Sequence, residues 1–265
     1  MKRFKWSTLG FTAVLSLGLL AACGTADDNN NDETSGDTPE AETLVMGTSA
    51  DYPPFESVDI TSDEIIGFDI DIAKHITSEL GYDLKIEDMD FNSLPPALQN
   101  GRVDFVLSAM TPTEERKENL DFSDNYYDAH NLMVIQEDSG IETLEDLVGK
   151  TVGVQLGSIQ EEAADELSEE YGFEVMQLNR IPEIVQELLS GRIDAILMED
   201  SVAEGHLKQQ QTFTSFEVVT EGETGYAIAF NKDSELVEEF NEKLNEMIES
   251  GLMDELINEW IRNEE

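Results

Sequence analysis

Gly101-Arg102-Val103-Asp104-Phe105-Val106-Leu107 and, ninety residues further on, Gly191-Arg192-Ile193-Asp194-Ala195-Ile196-Leu197 are two copies of one pattern. Each follows an amphipathic stretch that opens near a proline, Pro95 in one case and Pro182 in the other. Glycine closes a helix in the left-handed conformation, and the β-branched residue and its neighbours then enter a buried strand. One such turn is commonplace. Two, with Gly, Arg, a β-branched residue, Asp and Leu in register, predict two α/β lobes of related architecture.

Outward from these copies, short apolar strands alternate with helical stretches, as in an α/β sheet protein. Strands are expected over 44–47 and 84–86, a helix over 69–80 closed by Gly81, and a short helix over 93–99. The second lobe is expected to begin near Asn131 with a strand over 132–135 and to hold a strand over 151–154 and a helix opening at Glu161. A strand over 226–230 and two helices over 234–260, broken at Gly251, follow it. The expected division is 44–130 plus 226–265 as lobe 1 and 131–225 as lobe 2. A chain that crosses twice between lobes makes a hinge, and the cleft beside it suits a small ligand.

The chain has 265 residues with 15 Lys plus Arg against 59 Asp plus Glu, a formal charge of -44 and one cysteine. Nucleic acid is excluded as a partner, because a phosphate backbone is bound chiefly through cations. A disulfide framework and a thiolate metal cluster are excluded by the cysteine count. That cysteine, Cys23, follows Lys2, Arg3 and Lys5, an apolar run over 9–22 and the small residues Ala21-Ala22. The layout is that of a signal peptide over 1–22, and Leu20-Ala21-Ala22-Cys23 resembles a bacterial lipobox, which implies cleavage before Cys23 and lipidation of its sulfur. Cleavage removes three cations and no anions, taking the charge from -44 to -47. Residues 23–43 are acidic and almost without apolar side chains, so they read as a flexible tether.

Catalytic signatures are scarce: there is no Gly-x-Ser-x-Gly elbow, His-Glu-x-x-His pair, Gly-x-Gly-x-x-Gly or Walker loop. His75, His130 and His206 stand far apart, without metal-ligand spacing. No cofactor or metal is expected. Interest falls instead on strand-to-loop junctions. Ser49-Ala50-Asp51-Tyr52-Pro53-Pro54-Phe55-Glu56 offers a stiffened loop with flat aromatic faces. Ser108-Ala109-Met110-Thr111-Pro112-Thr113 leads to Arg116 one turn into a helix capped by Thr113, where Arg116 either serves a site or pairs with Glu114 or Glu115. Gly157-Ser158-Ile159-Gln160 opens a helix whose free amides form an anion site, unless Ser158 is an N-cap only.

These junctions, with Gly67-Phe68-Asp69-Ile70-Asp71, Phe122-Ser123 and the acidic residue closing the strand over 194–198, occur in an order that resembles the extracellular solute-binding proteins of bacterial amino-acid ABC transporters, in the polar and basic amino-acid group of family 3 type. The resemblance covers about 44–261. It implies a periplasmic-binding-protein-like α/β fold, two lobes joined by a two-strand hinge with the ligand between them. It also implies roles. Arg116 clamps an α-carboxylate, helped by amides near Thr111, Ser158 and Ile159, and Ala109 belongs to the same loop. Glu199, where relatives more often have Asp, holds the α-ammonium together with Ser108. Tyr52 and Phe91 sandwich the side chain, and Asp69 is expected to cap its helix. Ser49 stands where binders of basic amino acids often carry an acid, while Asp51 and Glu56 are candidates for a distal charge. The expected function is a lipid-anchored receptor on the outer face of the cell membrane (periplasmic in a two-membrane cell). It is expected to be monomeric and non-enzymatic, passing a basic or polar L-amino acid to a membrane permease. Arginine or lysine come ahead of glutamine or cystine. A cyclohexadienyl dehydratase-like enzyme on the same fold and an acidic surface lipoprotein that binds another protein are the competing classes.

Overall fold

A computed structural model describes residues 41–220, 222 and 225–262. Cys23, the signal sequence over 1–22 and nearly all of the tether over 23–43 lie outside the described residues. The helices that matter for the site are α1 (Phe68–Leu80), α2 (Leu94–Gln99), α3 (Glu114–Lys117), α4 (Ile159–Tyr171) and α5 (Ile181–Leu189).

Two five-stranded sheets share one layout. In the first, Thr43–Thr48 pairs in parallel with Asp83–Asp88 and with Phe105–Val106, and Ala229–Asn231 and Leu120–Phe122 add antiparallel strands. In the second, Thr151–Gln155 pairs in parallel with Glu174–Leu178 and Ala195–Glu199, and Asn131–Gln136 and Phe213–Val218 extend it antiparallel.

The repeated sequence pattern performs the same physical task in both sheets. Gly101 and Gly191 take φ of 67° and 70° just after α2 and α5, a conformation glycine adopts without Cβ strain. Val103 and Ile193 are buried behind them. The aspartates then sew each strand to its parallel neighbour. Asp104 accepts from the Val45 amide at 2.7 Å and returns its own amide to the Val45 carbonyl at 2.8 Å. Asp194 does the same with Thr151, at 2.9 and 2.8 Å.

The expected strand over 226–230 is two strands, because the chain changes partners there. Gly225–Tyr226 pairs antiparallel with Tyr127–Asp128, Ala227 donates to the Met110 carbonyl, and Ala229–Asn231 joins the first sheet. The two crossings between sheets are thus hydrogen-bonded to each other. Beneath them lies an aromatic cluster in which Phe55 is fully buried, edge-on to Tyr127 and Tyr226 with ring centroids 5.3 Å apart in each case. Phe55 is a core residue, and only Tyr52 of that loop turns a ring toward the cleft.

Asp69 does not cap α1. The helix starts at Phe68 with Gly67 at the N-cap, and the Asp69 carboxylate leaves the first turn to accept from the Ala109 amide at 2.8 Å and the Tyr126 hydroxyl at 2.9 Å. Gly67 has φ 141°, and a Cβ there would stand 2.1 Å from the Phe55 carbonyl oxygen. Gly67→Ala is therefore expected to lower stability by about 2 kcal/mol or more. Thermal unfolding reads this directly, and an unchanged melting temperature would contradict the packing described. Helix α4 begins two residues before the expected Glu161, because the Ser158 hydroxyl accepts from the Glu161 amide and caps the helix.

Candidate functional site

A cleft of about 340 Å³ is lined by Ser49, Tyr52, Glu56, Phe91, Ala109, Thr111 and Arg116 on one wall. Gln155, Ser158, Ile159, Gln160 and Glu199 form the other, with Tyr226 from the crossing between. The walls are made by strand ends and the loops after them, where an α/β sheet ordinarily exposes its binding groups.

Arg116 is placed by its backbone and held by its head. Thr113 caps α3, its hydroxyl accepting from the Arg116 amide at 3.3 Å. The guanidinium then donates to the Thr111 carbonyl at 2.7 Å and, across the cleft, to the Gly157 carbonyl at 2.8 Å. Its central carbon stands 5.6 Å from the Phe91 ring centroid, close enough for cation–π attraction. Burial pushes its pKa down, but the reference value is so high that it stays charged. It makes no ion pair among the described residues, so neither Glu114 nor Glu115 has captured it. Five donors less two leaves a fork able to meet a carboxylate. At the start of α4 the Ser158 amide donates to the Gln155 carbonyl and the Glu161 amide to the Ser158 hydroxyl, each at 3.2 Å, which leaves the amides of Ile159 and Gln160 without an acceptor in their own helix.

The opposite end collects carboxylates. Glu199 closes its strand almost fully buried, accepting from the Tyr52 hydroxyl at 2.6 Å, with the Tyr226 hydroxyl beside its carboxyl. Burial pushes its pKa up to about 8, against the Tyr226 and Tyr52 hydroxyls, which favour the charged form. Glu56 is wholly buried. Its Oε1 accepts from the Ser108 hydroxyl at 2.7 Å, and its carboxyl shares a hydrogen bond with that of Asp69. Burial and then the charge of Asp69 hold its carboxyl well above the usual range. Asp69 behind it is raised to about 7, again by burial. The cavity thus sets one cation against an excess of buried carboxyls, a field suited to a ligand bearing one carboxylate and more than one cationic donor.

Besides the Tyr52–Glu199 and Arg116–Gly157 bonds, a second set of contacts joins the walls outside the cavity lining. Asp51 Oδ2 accepts from the Ile181 amide at 2.8 Å at the start of α5, and Asp51 Oδ1 accepts from the Ser49 hydroxyl at 2.9 Å. Arg180 reaches back to Asp90 at 2.7 Å, Asp88 at 2.9 Å and Asp51 at 3.8 Å.

Residues 44–263 match the family described as bacterial extracellular solute-binding proteins, family 3. The chain belongs to that family. Among its relatives, the arginine-binding extracellular protein of Bacillus subtilis is 48% identical over 262 residues, covering 98% of this chain and 99% of that protein. The crystal structure of the substrate-binding protein of an amino acid ABC transporter superposes with a TM-score of 0.80 at 44% identity, covering 83% of this chain and all of that one. An ancestral arginine-binding protein has been solved with arginine (TM-score 0.77) and with glutamine (TM-score 0.76), in each case 41% identical and covering 82% of this chain and 97% of that one. The fold is the two-sheet fold of these binding proteins.

Within that family frame, Ser49, Tyr52, Phe91, Ala109, Thr111, Arg116, Ser158, Ile159 and Glu199 are brought to the cleft. Asp51 and Ser108 are not in its lining. Asp51 is committed to α5, and Ser108 stands behind the wall, accepting from the Ser49 amide at 3.0 Å and donating to Glu56. Gln155, Gln160 and Tyr226 line the cleft without having been singled out. Gln160 lay within the Gly157-Ser158-Ile159-Gln160 motif and Gln155 at a strand end, so both carried a signal. Tyr226 carried none, since only the crossing brings it there.

Proposed function

We propose that the protein is a lipid-anchored extracellular receptor that binds L-arginine and hands it to a membrane permease, acting as a monomer and without chemistry of its own. The observation that carries this reading is the polarity of the cleft: Arg116 without an ion pair among the described residues at one end, the buried carboxyls of Glu199 and Glu56 at the other. In this arrangement the α-carboxylate takes the free fork of Arg116 and the α4 amides, and the α-ammonium takes Glu199. The aliphatic stem lies between Tyr52 and Phe91, and the guanidinium reaches Glu56 beside Ser49. Glu56 thus supplies the distal charge that Ser49 lacks. The arginine-binding relatives support this choice over lysine, glutamine or cystine. The lipid anchor rests on Cys23 and its lipobox, and the permease on the family. We take the lobes to be 44–130 plus 226–265 and 131–225, the crossings at Tyr127–Asp128 and Gly225–Tyr226 serving as the hinge.

Isothermal titration of the purified protein with L-arginine, L-lysine, L-glutamine and L-cystine tests the reading. Arginine is expected to bind tightest. Silence for all four overturns amino-acid capture, and glutamine ahead of arginine overturns the role given to Glu56.

A further inference from the structure

Glu56 lines the cleft, and Asp69 stands behind it in the first turn of α1, both residues wholly buried. The hydrogen bonds around them occupy one oxygen of each carboxyl. The Ser108 hydroxyl accepts from the Ser49 amide at 3.0 Å and gives its hydrogen to Glu56 Oε1 at 2.7 Å. Asp69 Oδ2 takes the Ala109 amide at 2.8 Å and the Tyr126 hydroxyl at 2.9 Å. Glu56 Oε2 and Asp69 Oδ1 remain, both buried, and no N–H or hydroxyl among the described residues reaches either. Yet the two carboxyls share a hydrogen bond. Two carboxylates have no hydrogen between them, so the pair holds a proton. Asp69 is met by two donors and Glu56 by one, which makes Asp69 the easier to ionise and leaves the proton on Glu56 in the empty cleft. The other charged groups bearing on the pair are Asp51 and Glu199, both acids, which oppose its full ionisation. Tyr52 and Tyr126 beside it stay neutral, held by burial well above the usual tyrosine range.

We propose that the Glu56–Asp69 pair carries one negative charge and one proton, and that Asp69 is a positioning residue that takes the proton from Glu56 when a cationic ligand side chain arrives. The O–H bond at Glu56 Oε2 breaks, one forms at Asp69 Oδ1, and no proton leaves the protein in this step. Glu56 then meets the ligand as a carboxylate, with Ser108 and the protonated Asp69 both donating to it. A neutral side chain leaves the proton where it was. The pair therefore selects for a distal cation by changing which of its members is charged. The inference rests on the amino-acid reading above.

The experiment is carboxyl ¹³C NMR of aspartate-labelled protein at pH 8, with the Asp69 signal assigned by its loss in Asp69→Asn. Saturation with L-arginine is expected to move that signal from the ionised toward the protonated position, and L-glutamine to leave it in place. Tyr126→Phe removes a donor from the charged form of Asp69, so the proton passes more readily. Arginine affinity by isothermal titration is then expected to rise severalfold, with glutamine affinity unchanged. Tyr126→Phe also displaces the Asp69 signal, and so identifies it if Asp69→Asn does not fold; thermal unfolding checks both variants. Three results overturn the proposal: an Asp69 signal that stays ionised with arginine bound, one that moves equally with both ligands, or arginine affinity unchanged or reduced in Tyr126→Phe. If the unsubstituted protein binds neither ligand, the amino-acid reading falls and the proposal with it.

Discussion

Arg116→Ala weakens L-arginine binding by more than a hundredfold, about 3 kcal/mol or more, in isothermal titration. The magnitude follows from what remains after the substitution. A ligand carboxylate closed into a cavity that already holds several carboxylates loses its only charge partner, and the α4 amides alone face it. Arg116→Lys is expected to recover little. An ammonium has no planar fork, and it cannot hold the Thr111 and Gly157 carbonyls while meeting two carboxylate oxygens. The unliganded protein is affected differently. Arg116 is half-buried without an ion pair among the described residues, so its removal relieves some desolvation while losing two bonds to carbonyls, and the melting temperature moves by only a few degrees. Near-normal affinity of Arg116→Ala would place the carboxylate elsewhere.

Arginine binding releases protons at neutral pH, and Glu199→Gln abolishes most of that release while weakening binding by about 2–4 kcal/mol. Glu199 titrates near 8 in the empty cleft because it is buried, so at pH 7 it carries a proton. An α-ammonium beside it favours the ionised form, and the proton leaves as the ligand enters. Affinity therefore rises between pH 6 and 8. Titrations in buffers of different ionisation enthalpy give different observed enthalpies, and the difference counts the protons. The sign for stability follows from the same shift. A carboxyl whose folded value lies above its unfolded value contributes fully below the unfolded value, and loses that contribution as pH rises through the folded one. The empty protein thus loses melting temperature between about pH 5 and 8, with Asp69 and Glu56 acting in the same direction. The arginine-saturated protein does so far less. Observed enthalpies independent of buffer would remove Glu199 from the ammonium site.

The parts of this molecule legible in its sequence are those whose physics is local. The glycine closures at Gly101 and Gly191 depend on neighbours a few residues away, so the twin sheets could be read from two seven-residue copies. What the copies did not disclose is that Asp104 and Asp194 bond the amide of a neighbouring strand. Thr113 and Ser158 as caps were local as well, and Thr113 carried Arg116 with it. Long-range commitments were not legible. Asp51 was as good a candidate for the ligand as Glu56 until the fold turned it to Ile181, 130 residues away. Glu56 is held by Ser108, 52 residues away. Asp69 looked like a cap because acids are common there, but a carboxylate facing the Ala109 amide and the Tyr126 hydroxyl satisfies more donors than capping its own helix. A single strand over 226–230 was a reasonable reading of an apolar run, and only a change of pairing partner divides it.

Arg180 gives the two walls of the cleft an asymmetric charge balance. With the walls together, one cation serves Asp51, Asp88 and Asp90; if they part, three anions on one side face only one another and Arg180 returns to water. Losing Arg180 leaves the three carboxylates of one wall without their cation, so the single arginine favours the walls together. Because Arg180 is only half-buried, dissolved ions weaken that attraction. The open and closed populations of so acidic a protein are therefore tied to the salinity around it, and the ligand supplies the part of closure that salt cannot screen.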